Sequence, residues 1–230
     1  MALLNIVSLP KYIDEIQMSK LFKSFDIIAF NETRLDLSTS DGEVKIYGYN
    51  FKIRKDRSRK GGSSISYQNR SDLVPNDLEG VCLKIFKPNS RPFVIESIYR
   101  PPDCSSDFFT NFESMIKGIN NEDKELPILG DLSYIRLKHI PDQRTKTLKS
   151  IYDMYQLYQT TEEPTCITKT SSTLIDRHAT NSTGKFARSG SIHIGITDHS
   201  LMYAIRKIDP TTKTGTNIRT IKFRNMKRFD

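Results

Sequence analysis

The sequence predicts an α/β fold in which two β-sheets pack against each other and helices flank them. Strand-like apolar runs outnumber helical segments, and the helices interrupt the strands without strictly alternating with them. Hydrophobic residues make up 37% of the 230 residues, with 12 Phe and 10 Tyr. This content is sufficient for a packed core, and the length suits one sizeable domain.

The first third of the chain begins with a strand, a helix and a second strand. Residues 3–9 and 26–32 are apolar runs of strand length, and residues 11–23 carry apolar side chains near helical spacing. Residues 47–54 alternate as a half-buried strand does, and "RKGGS" at 59–63 predicts a turn into a strand over 64–68. One face of the alternating segment would carry Tyr47, Tyr49, Phe51 and Ile53.

The middle of the chain predicts a hairpin followed by helices around a short strand. Residues 80–86 and 91–100 flank the turn "KPNS" and read as two antiparallel strands. Residues 105–120 and 144–159 place apolar and aromatic residues on one helical stripe each, and 126–129 lies between them as a buried strand.

The last part predicts three more strands, over residues 172–178, 191–197 and 201–208. Beyond Asp209-Pro210 the chain becomes polar and Thr-rich, as linkers are. We therefore expect a folded domain over residues 1–208 and a basic linker or tail over 209–230.

The net charge of +8 is concentrated in two segments, 51–60 and 213–230. Such segments indicate either a polyanionic partner, nucleic acid above all, or a solvated strand edge followed by a disordered tail. The three cysteines are far apart in the sequence, which suggests a reducing, intracellular setting. No apolar run is long enough to be a signal peptide or to span a bilayer. We therefore expect an intracellular protein without a membrane partner. The predicted nucleic-acid contacts of the first segment are Lys52, Arg54, Lys55, Arg57, Arg59 and Lys60.

Several polar residues stand where predicted strands end. Each alone has a structural explanation, such as a turn cap or a surface ion pair. Strand ends on one rim of a sandwich can converge, however, and carboxylates with one histidine suit a hard cation such as Mg²⁺ or Mn²⁺ beside a phosphate ester. The residues concerned are Asn5, Glu32, Tyr99, Asp131, Asp176, Asp198 and His199.

The order of these motifs is similar to that of the endonuclease/exonuclease/phosphatase superfamily. The segments "NETRL", "IYRPP", "LGD", "STLID" and "GITDHS" resemble, more narrowly, the apurinic-type endonuclease domain of non-LTR retrotransposon polyproteins. The resemblance runs from Asn5 to about residue 208, and the basic tail resembles the linker before the reverse transcriptase. It implies a four-layer α/β sandwich of two mostly antiparallel sheets, as in DNase I.

The resemblance also implies a role for each motif residue. Glu32 would bind the metal, with Asn5 close by and Asp198 assisting. Asp131 would orient or deprotonate the attacking water, or help to protonate the leaving oxygen. His199, held by Asp176, would lie on the scissile phosphate, and Tyr99 would bond a phosphate oxygen.

Two departures from the family pattern bear on activity. Ser133 replaces the asparagine whose amide contacts the phosphate, which predicts attenuated activity, and Arg177-His178 interrupt an otherwise apolar strand. The function implied is Mg²⁺-dependent nicking of one DNA strand for target-primed reverse transcription, with a reverse transcriptase domain as partner in a longer polyprotein and a nuclear location where the substrate is chromosomal. The alternatives are a decayed domain that binds nucleic acid without cutting it, and a phosphoesterase of the same fold acting on a small phosphate ester.

Overall fold

The computed structural model describes residues 1–49, 54–56, 62–64, 68–86, 91–102, 104–105, 107–132 and 143–207. Its helices are α1 (Leu9–Met18), α2 (Phe108–Asn120) and α3 (Gln143–Met154), with short 3-10 turns at Phe22–Ser24, Ser71–Leu73 and Thr183–Lys185. Its strands are β1 (Ala2–Asn5), β2 (Ile28–Asn31), β3 (Arg54–Asp56), β4 (Gly62–Ser64), β5 (Gln68–Asn69), β6 (Glu79–Ile85), β7 (Phe93–Tyr99), β8 (Pro127–Asp131), β9 (Tyr158–Gln159), β10 (Cys166–Ile167), β11 (Ser172–Thr173), β12 (Asp176–Thr180), β13 (Phe186–Ile192) and β14 (Leu201–Arg206).

The strands form two six-stranded sheets of similar design. Sheet one has the order β13-β14-β1-β2-β4-β3, and sheet two has the order β5-β6-β7-β8-β12-β9. Within the described strands each sheet has one parallel pair, β1–β2 in sheet one and β7–β8 in sheet two, and its other pairs are antiparallel. The two remaining strands, β10 and β11, pair with each other.

Three hydrophobic clusters separate four layers. The cluster between the sheets contains Leu3 and Met202 from sheet one and Leu83 and Ile95 from sheet two. A second cluster packs α1 on the outer face of sheet one, and a third packs α2 and α3 on the outer face of sheet two. The predicted α/β sandwich of two mostly antiparallel sheets flanked by helices is therefore confirmed.

The boundaries of several elements differ from those predicted. Helix α1 begins at Leu9, where Pro10 suits a first turn, and it ends at Met18 instead of residue 23. Residues 47–49 form a turn, and α3 ends at Met154, so that Tyr158 enters a strand with an exposed side chain. The strand expected over 191–197 lies earlier, in β13, because its pairing with β14 extends back to Phe186.

The parallel pairs bring four strand ends to the same edge of the sandwich. Asn5 is in register with Asn31, so Glu32 follows directly beside it, and Tyr99 is in register with Asp131. Strand β12 then runs antiparallel to β8, which pairs Asp176 with the same Asp131. One rim therefore collects side chains from β1, β2, β7, β8 and β12.

Gly130 allows β7 and β8 to approach each other beside this rim. A Cβ atom at residue 130 would lie 2.5 Å from Ile98 Cγ2 and 2.8 Å from the Ile98 carbonyl oxygen. Since real Cβ atoms do not approach other atoms so closely, any side chain here would push the strands apart. The glycine before Asp131 thus has a packing reason that is independent of chemistry.

Some sequence predictions fall outside the described residues. They include the turns at 59–61 and 87–90, Ser133, residue 208 of the predicted domain and the tail over 209–230. Among the helices of the described ranges, none is long and apolar enough to cross a membrane.

Candidate active site

Asn5 connects two carboxylates from opposite sheets. Its side-chain amide donates to Glu32 Oε1 and to Asp131 Oδ2, both at 2.8 Å. Tyr99 donates its hydroxyl to the same Glu32 oxygen at 3.0 Å. Both acceptors of the amide are carboxylate oxygens, which fixes the amide orientation, since its oxygen would repel them. Asn5 and Asp131 are buried, and Glu32 is half-buried.

Burial and the Glu32 carboxylate act together on Tyr99. Loss of solvent, followed by the charge of Glu32 and the hydrogen bond to it, raises the pKa of the Tyr99 phenol. The phenol therefore keeps its proton and serves as a donor.

The backbone is strained on both sides of this network. Glu32 has φ of 51°, Arg34 has φ of 53° and Val7 has φ of 60°. Residues with a Cβ atom rarely adopt this left-handed region, and a β-branched residue such as Val7 does so at a larger cost. The strain lies in the two loops that follow β1 and β2. It sets the direction that the backbone takes after β2 and so directs Glu32 toward Asn5.

His199 and Asp176 form a second hydrogen-bonded pair on the same rim. His199 Nδ1 lies 2.8 Å from Asp176 Oδ2, and both side chains are buried. Burial would lower the pKa of His199, but the hydrogen bonds to Asp176 and Cys166 and the charges of Asp176 and Asp131 outweigh it and raise the pKa to about 11. His199 is therefore an imidazolium held in one orientation at neutral pH.

Asp131 lies between the network of Asn5 and the pair of His199. Ligand atoms of Asp131, Asp176 and His199 all lie within 4.8 Å of one another. Asp176 Oδ1 is buried and has no hydrogen-bond partner among the described residues. The two groups of predicted residues thus form one continuous polar site inside the rim.

Thr165 and Thr197 support this site through hydrogen bonds to its backbone, and no motif in the sequence pointed to Thr165. Thr165 Oγ1 accepts from the backbone N–H of Asp176 at 2.9 Å and of Ile175 at 3.2 Å. Thr197 Oγ1 donates to the Asn5 carbonyl at 3.2 Å and accepts from the His199 N–H at 3.2 Å. Thr165 precedes a two-residue strand, too short for any periodicity to reveal it.

Asp198 lies at the exposed margin of the site. It shares a group of potential ligands with Cys166 and His199, whose ligand atoms lie within 4.8 Å of one another. Within the described residues, the groups of three or more such ligands are this one and that of Asp131, and Glu32 belongs to neither. Asp198 is therefore on the His199 side of the site, and Glu32 is on the Asn5 side.

The structure thus brings together Asn5, Glu32, Tyr99 and Asp131 by direct hydrogen bonds, and His199 with Asp176. Ser133 lies outside the described residues, as do Lys52, Arg57, Arg59 and Lys60. For Arg54 and Lys55 the structure describes the backbone as part of β3. Their predicted roles stay predictions.

The donor atoms of the rim fit a hard divalent cation. Glu32 Oε1 accepts two hydrogen bonds, and the rim also offers carboxylates of Asp131, Asp176 and Asp198. Carboxylate oxygens are the ligands that Mg²⁺ and Mn²⁺ prefer. Beside a cation, the imidazolium of His199 supplies a donor for an anion. The Tyr99 phenol adds a second donor when it exchanges its hydrogen bond to Glu32, so the site suits a phosphate ester.

The sequence matches no protein-family model and no curated protein. The fold is similar to that of the 3'-5' exonuclease NExo from Neisseria meningitidis, with a TM-score of 0.70, 11% identity and coverage of 90% of this chain and 98% of that chain. It is also similar to an AP endonuclease from Archaeoglobus fulgidus, with a TM-score of 0.65, 11% identity and coverage of 90% and 98%.

A third similar structure is the endonuclease domain of TRAS1, a telomere-specific non-LTR retrotransposon. Its TM-score is 0.62 and its identity 14%, over 89% of this chain and 96% of that chain. The chain therefore has the DNase I-like fold of endonuclease/exonuclease/phosphatase proteins. The resemblance seen in the sequence is confirmed at the level of the fold.

Proposed function

We propose that this chain is a metal-dependent phosphodiesterase that nicks one strand of DNA. The observation that carries the proposal is the rim itself, where two hydrogen-bonded groups meet at Asp131. Tyr99, Glu32 and Asn5 form the first group, and Asp176 and His199 form the second. A fold shared with nucleases and a phosphatase supports the same reaction class.

Hydrolysis of a phosphodiester requires water to attack phosphorus while the opposite P–O bond breaks. His199 is placed to donate a hydrogen bond to a phosphate oxygen, because Asp176 orients its ring and favours its charged form. Asn5 donates a hydrogen bond to Asp131 Oδ2 and so holds this carboxylate in one orientation. Asp131 is thereby placed to accept a hydrogen bond from water, and such an acceptor orients or deprotonates the attacking water. Tyr99 keeps its proton, and its hydroxyl would donate to phosphate in exchange for its hydrogen bond to Glu32.

Glu32 is the residue proposed to hold Mg²⁺ or Mn²⁺, with Asn5 positioning it. Asp198, on the His199 side of the site, is proposed to assist. A cation bound there would neutralise charge on the phosphate oxygens as it develops. The strained φ of Glu32 and its two donors hold the carboxylate in place before any cation binds.

DNA is the proposed substrate because the chain is basic. The net charge of +8 includes the cluster of Lys52, Arg54, Lys55, Arg57, Arg59 and Lys60, and such runs bind phosphates with release of counterions. The sequence motifs resemble those of non-LTR retrotransposon endonuclease domains, and the fold is similar to that of the TRAS1 endonuclease domain. Both similarities support nicking for target-primed reverse transcription. A reverse transcriptase domain in a longer polyprotein is the partner that this role requires.

The two rival functions make different predictions in one assay. Supercoiled plasmid is incubated with the protein and Mg²⁺, with Mn²⁺, or with EDTA, and open circle is measured; a panel of phosphomonoesters, including a 3'-phosphorylated DNA end, is tested in parallel. We expect open circle with either cation and none with EDTA. DNA binding without cleavage would favour the decayed domain, and cleavage of the monoesters alone would favour the small phosphate ester.

A further inference from the structure

We propose that Cys166, Asp198 and His199 form a zinc-binding site whose occupation blocks the active site. The ligand atoms of these residues lie within 4.8 Å of one another, and Cys166 Sγ lies 4.0 Å from Asp198 Oδ2. Thiolate, imidazole and carboxylate together are the ligands of Zn²⁺, whereas Mg²⁺ does not take sulfur.

The backbone places the thiol of Cys166 beside the imidazole. Cys166 and His199 are opposite each other in an antiparallel bridge. The bridge is closed by hydrogen bonds from Ile167 N–H to the Asp198 carbonyl, at 2.9 Å, and from Ser200 N–H to the Thr165 carbonyl, at 2.6 Å. Residues flanked in this way form a non-hydrogen-bonded pair, whose side chains lie close on the same face. The two ligands therefore adjoin before any metal arrives.

His199 is already oriented as zinc-binding histidines are. Its Nδ1 is engaged with the Asp176 carboxylate at 2.8 Å, which leaves Nε2 for a metal. A carboxylate behind a ligating histidine fixes the tautomer and the ring orientation, and its loss typically costs about 10–100-fold in metal affinity. Asp198 is exposed at the margin of the site, so Zn²⁺ has an entry path from solvent.

Zinc binding would form bonds to the Cys166 sulfur, a His199 nitrogen and an Asp198 oxygen, with water in the fourth position. The thiol proton and one imidazole proton leave to solvent. The blocking effect rests on the proposed function, because Zn²⁺ would occupy the nitrogen proposed to contact phosphate and the carboxylate proposed to assist Mg²⁺. Metal binding itself does not rest on that function.

The binding test uses Co²⁺, whose absorption reports its ligands. Co²⁺ is titrated into the full chain in a phosphine reductant, and we expect a thiolate-to-cobalt charge-transfer band that Zn²⁺ abolishes. Cys166→Ser should lose this band, and Cys104→Ser, which changes a thiol outside the site, should keep it. A band that survives Cys166→Ser would overturn the site. Absence of a band in the unmodified protein would also overturn it, and that result holds even if the variant fails to fold.

The inhibition test measures plasmid nicking in Mg²⁺ with increasing Zn²⁺, each variant being normalised to its own zinc-free rate. We expect half-inhibition of Cys166→Ser to need at least about tenfold more Zn²⁺ than that of the unmodified protein or Cys104→Ser. Equal zinc sensitivity of all three would overturn the blocking effect. A cobalt band in a protein that nicks no DNA would overturn the proposed function and leave the metal site standing.

Discussion

At the scale of single residues, Asn5 determines how the rim is held together. It is the buried donor shared by Glu32 and Asp131, each at 2.8 Å, and so it links sheet one to sheet two. An amide can donate to two carboxylates without adding charge. An acid at the same place would leave three carboxylates in contact.

Replacing Asn5 by aspartate therefore tests whether the rim binds a cation. We expect Asn5→Asp to lower the free energy of unfolding by about 1–3 kcal/mol without divalent ions, because two acceptors lose their donor and gain a like charge. Added Mg²⁺ should then raise the Tm of the variant by more than that of the unmodified protein. Thermal unfolding with and without Mg²⁺ measures both quantities.

Asn121→Asp is the matched control, since Asn121 is exposed at the end of α2 that leads into the start of β8, whereas Asp131 lies at the other end of that strand. Its Tm should respond to Mg²⁺ as the unmodified protein does. If Asn5→Asp also gained no extra stability from Mg²⁺, the rim would not be a cation site.

Ser133 is the residue at which sequence resemblance predicts attenuation. A serine hydroxyl is shorter than an asparagine amide and would leave a phosphate oxygen without its donor. We expect Ser133→Asn to raise Mg²⁺-dependent plasmid nicking by up to about 10²–10³-fold, the value of one oriented donor. Initial rates at matched protein concentration measure this. An unchanged rate would mean that residue 133 does not face the phosphate.

At the scale of elements, β12 differs most from its prediction. Arg177 and His178 were expected to interrupt the strand, yet residues 176–180 pair with β8 in unbroken register and are all buried. Polar groups in and just after the next strand, β9, contact these two side chains: Arg177 Nη1 donates to Gln159 Oε1, and His178 Nδ1 lies 2.6 Å from Thr160 Oγ1. His178 Nε2 is buried and has no hydrogen-bond partner among the described residues. The strand that carries Asp176 is therefore intact, which weakens one argument for a decayed enzyme.

The burial of His178 gives the fold a defined pH dependence. Burial, with a smaller effect of the N-terminal charge, lowers the pKa of His178 to about 3. Between pH 6.5 and about 3 the unfolded chain binds a proton here that the folded protein does not. Stability therefore falls as the pH is lowered through this range, by up to about 1.4 kcal/mol per pH unit from this residue.

Urea unfolding at pH 7 and pH 4.5 measures the effect. We expect His178→Gln to lose less stability between these pH values than the unmodified protein. His193→Gln, at an exposed position, should behave as the unmodified protein does. Equal losses in all three proteins would show that His178 does not titrate in this way.

Gly130 controls the approach of β7 to β8. A Cβ atom there would lie 2.5 Å from Ile98 Cγ2, so Gly130→Ala should cost about 1–3 kcal/mol of stability and displace Asp131. Gly184→Ala is the control, because no atom of the described residues lies within 4 Å of its added Cβ atom. Urea unfolding and plasmid nicking of both variants provide the measurement. Two equally stable variants would contradict the packing argument.

At the scale of the whole molecule, the four layers were predictable because each depends on a repeated pattern. Apolar faces of α1, α2 and α3 and continuous apolar runs such as those of β7 and β8 are visible without a structure. Motif order likewise indicated Asn5, Glu32 and Asp131. Element ends were less predictable, since pairing partners decide where β13 begins and where α3 stops.

Contacts between segments that are far apart in the chain could not be predicted from the sequence. Thr165 supports Asp176 through an acceptor that no periodicity marks, and Cys166 reaches His199 through a bridge that joins residues from separate loops. Asp198 and Glu32 are both carboxylates at predicted strand ends, so the sequence does not distinguish them. In the structure Asp198 is exposed, Glu32 is half-buried, and they lie on different sides of the site.

The central claim is that this rim hydrolyses phosphodiesters, and plasmid nicking by matched variants tests it most directly. Mg²⁺-dependent rates are compared for His199→Ala and Asp131→Asn, and for His193→Ala and Asp153→Asn at exposed positions. We expect the first two to lose at least about 10²-fold, as loss of an acid–base group does, and the last two to keep their rates. Nicking that survived both His199→Ala and Asp131→Asn would contradict the account.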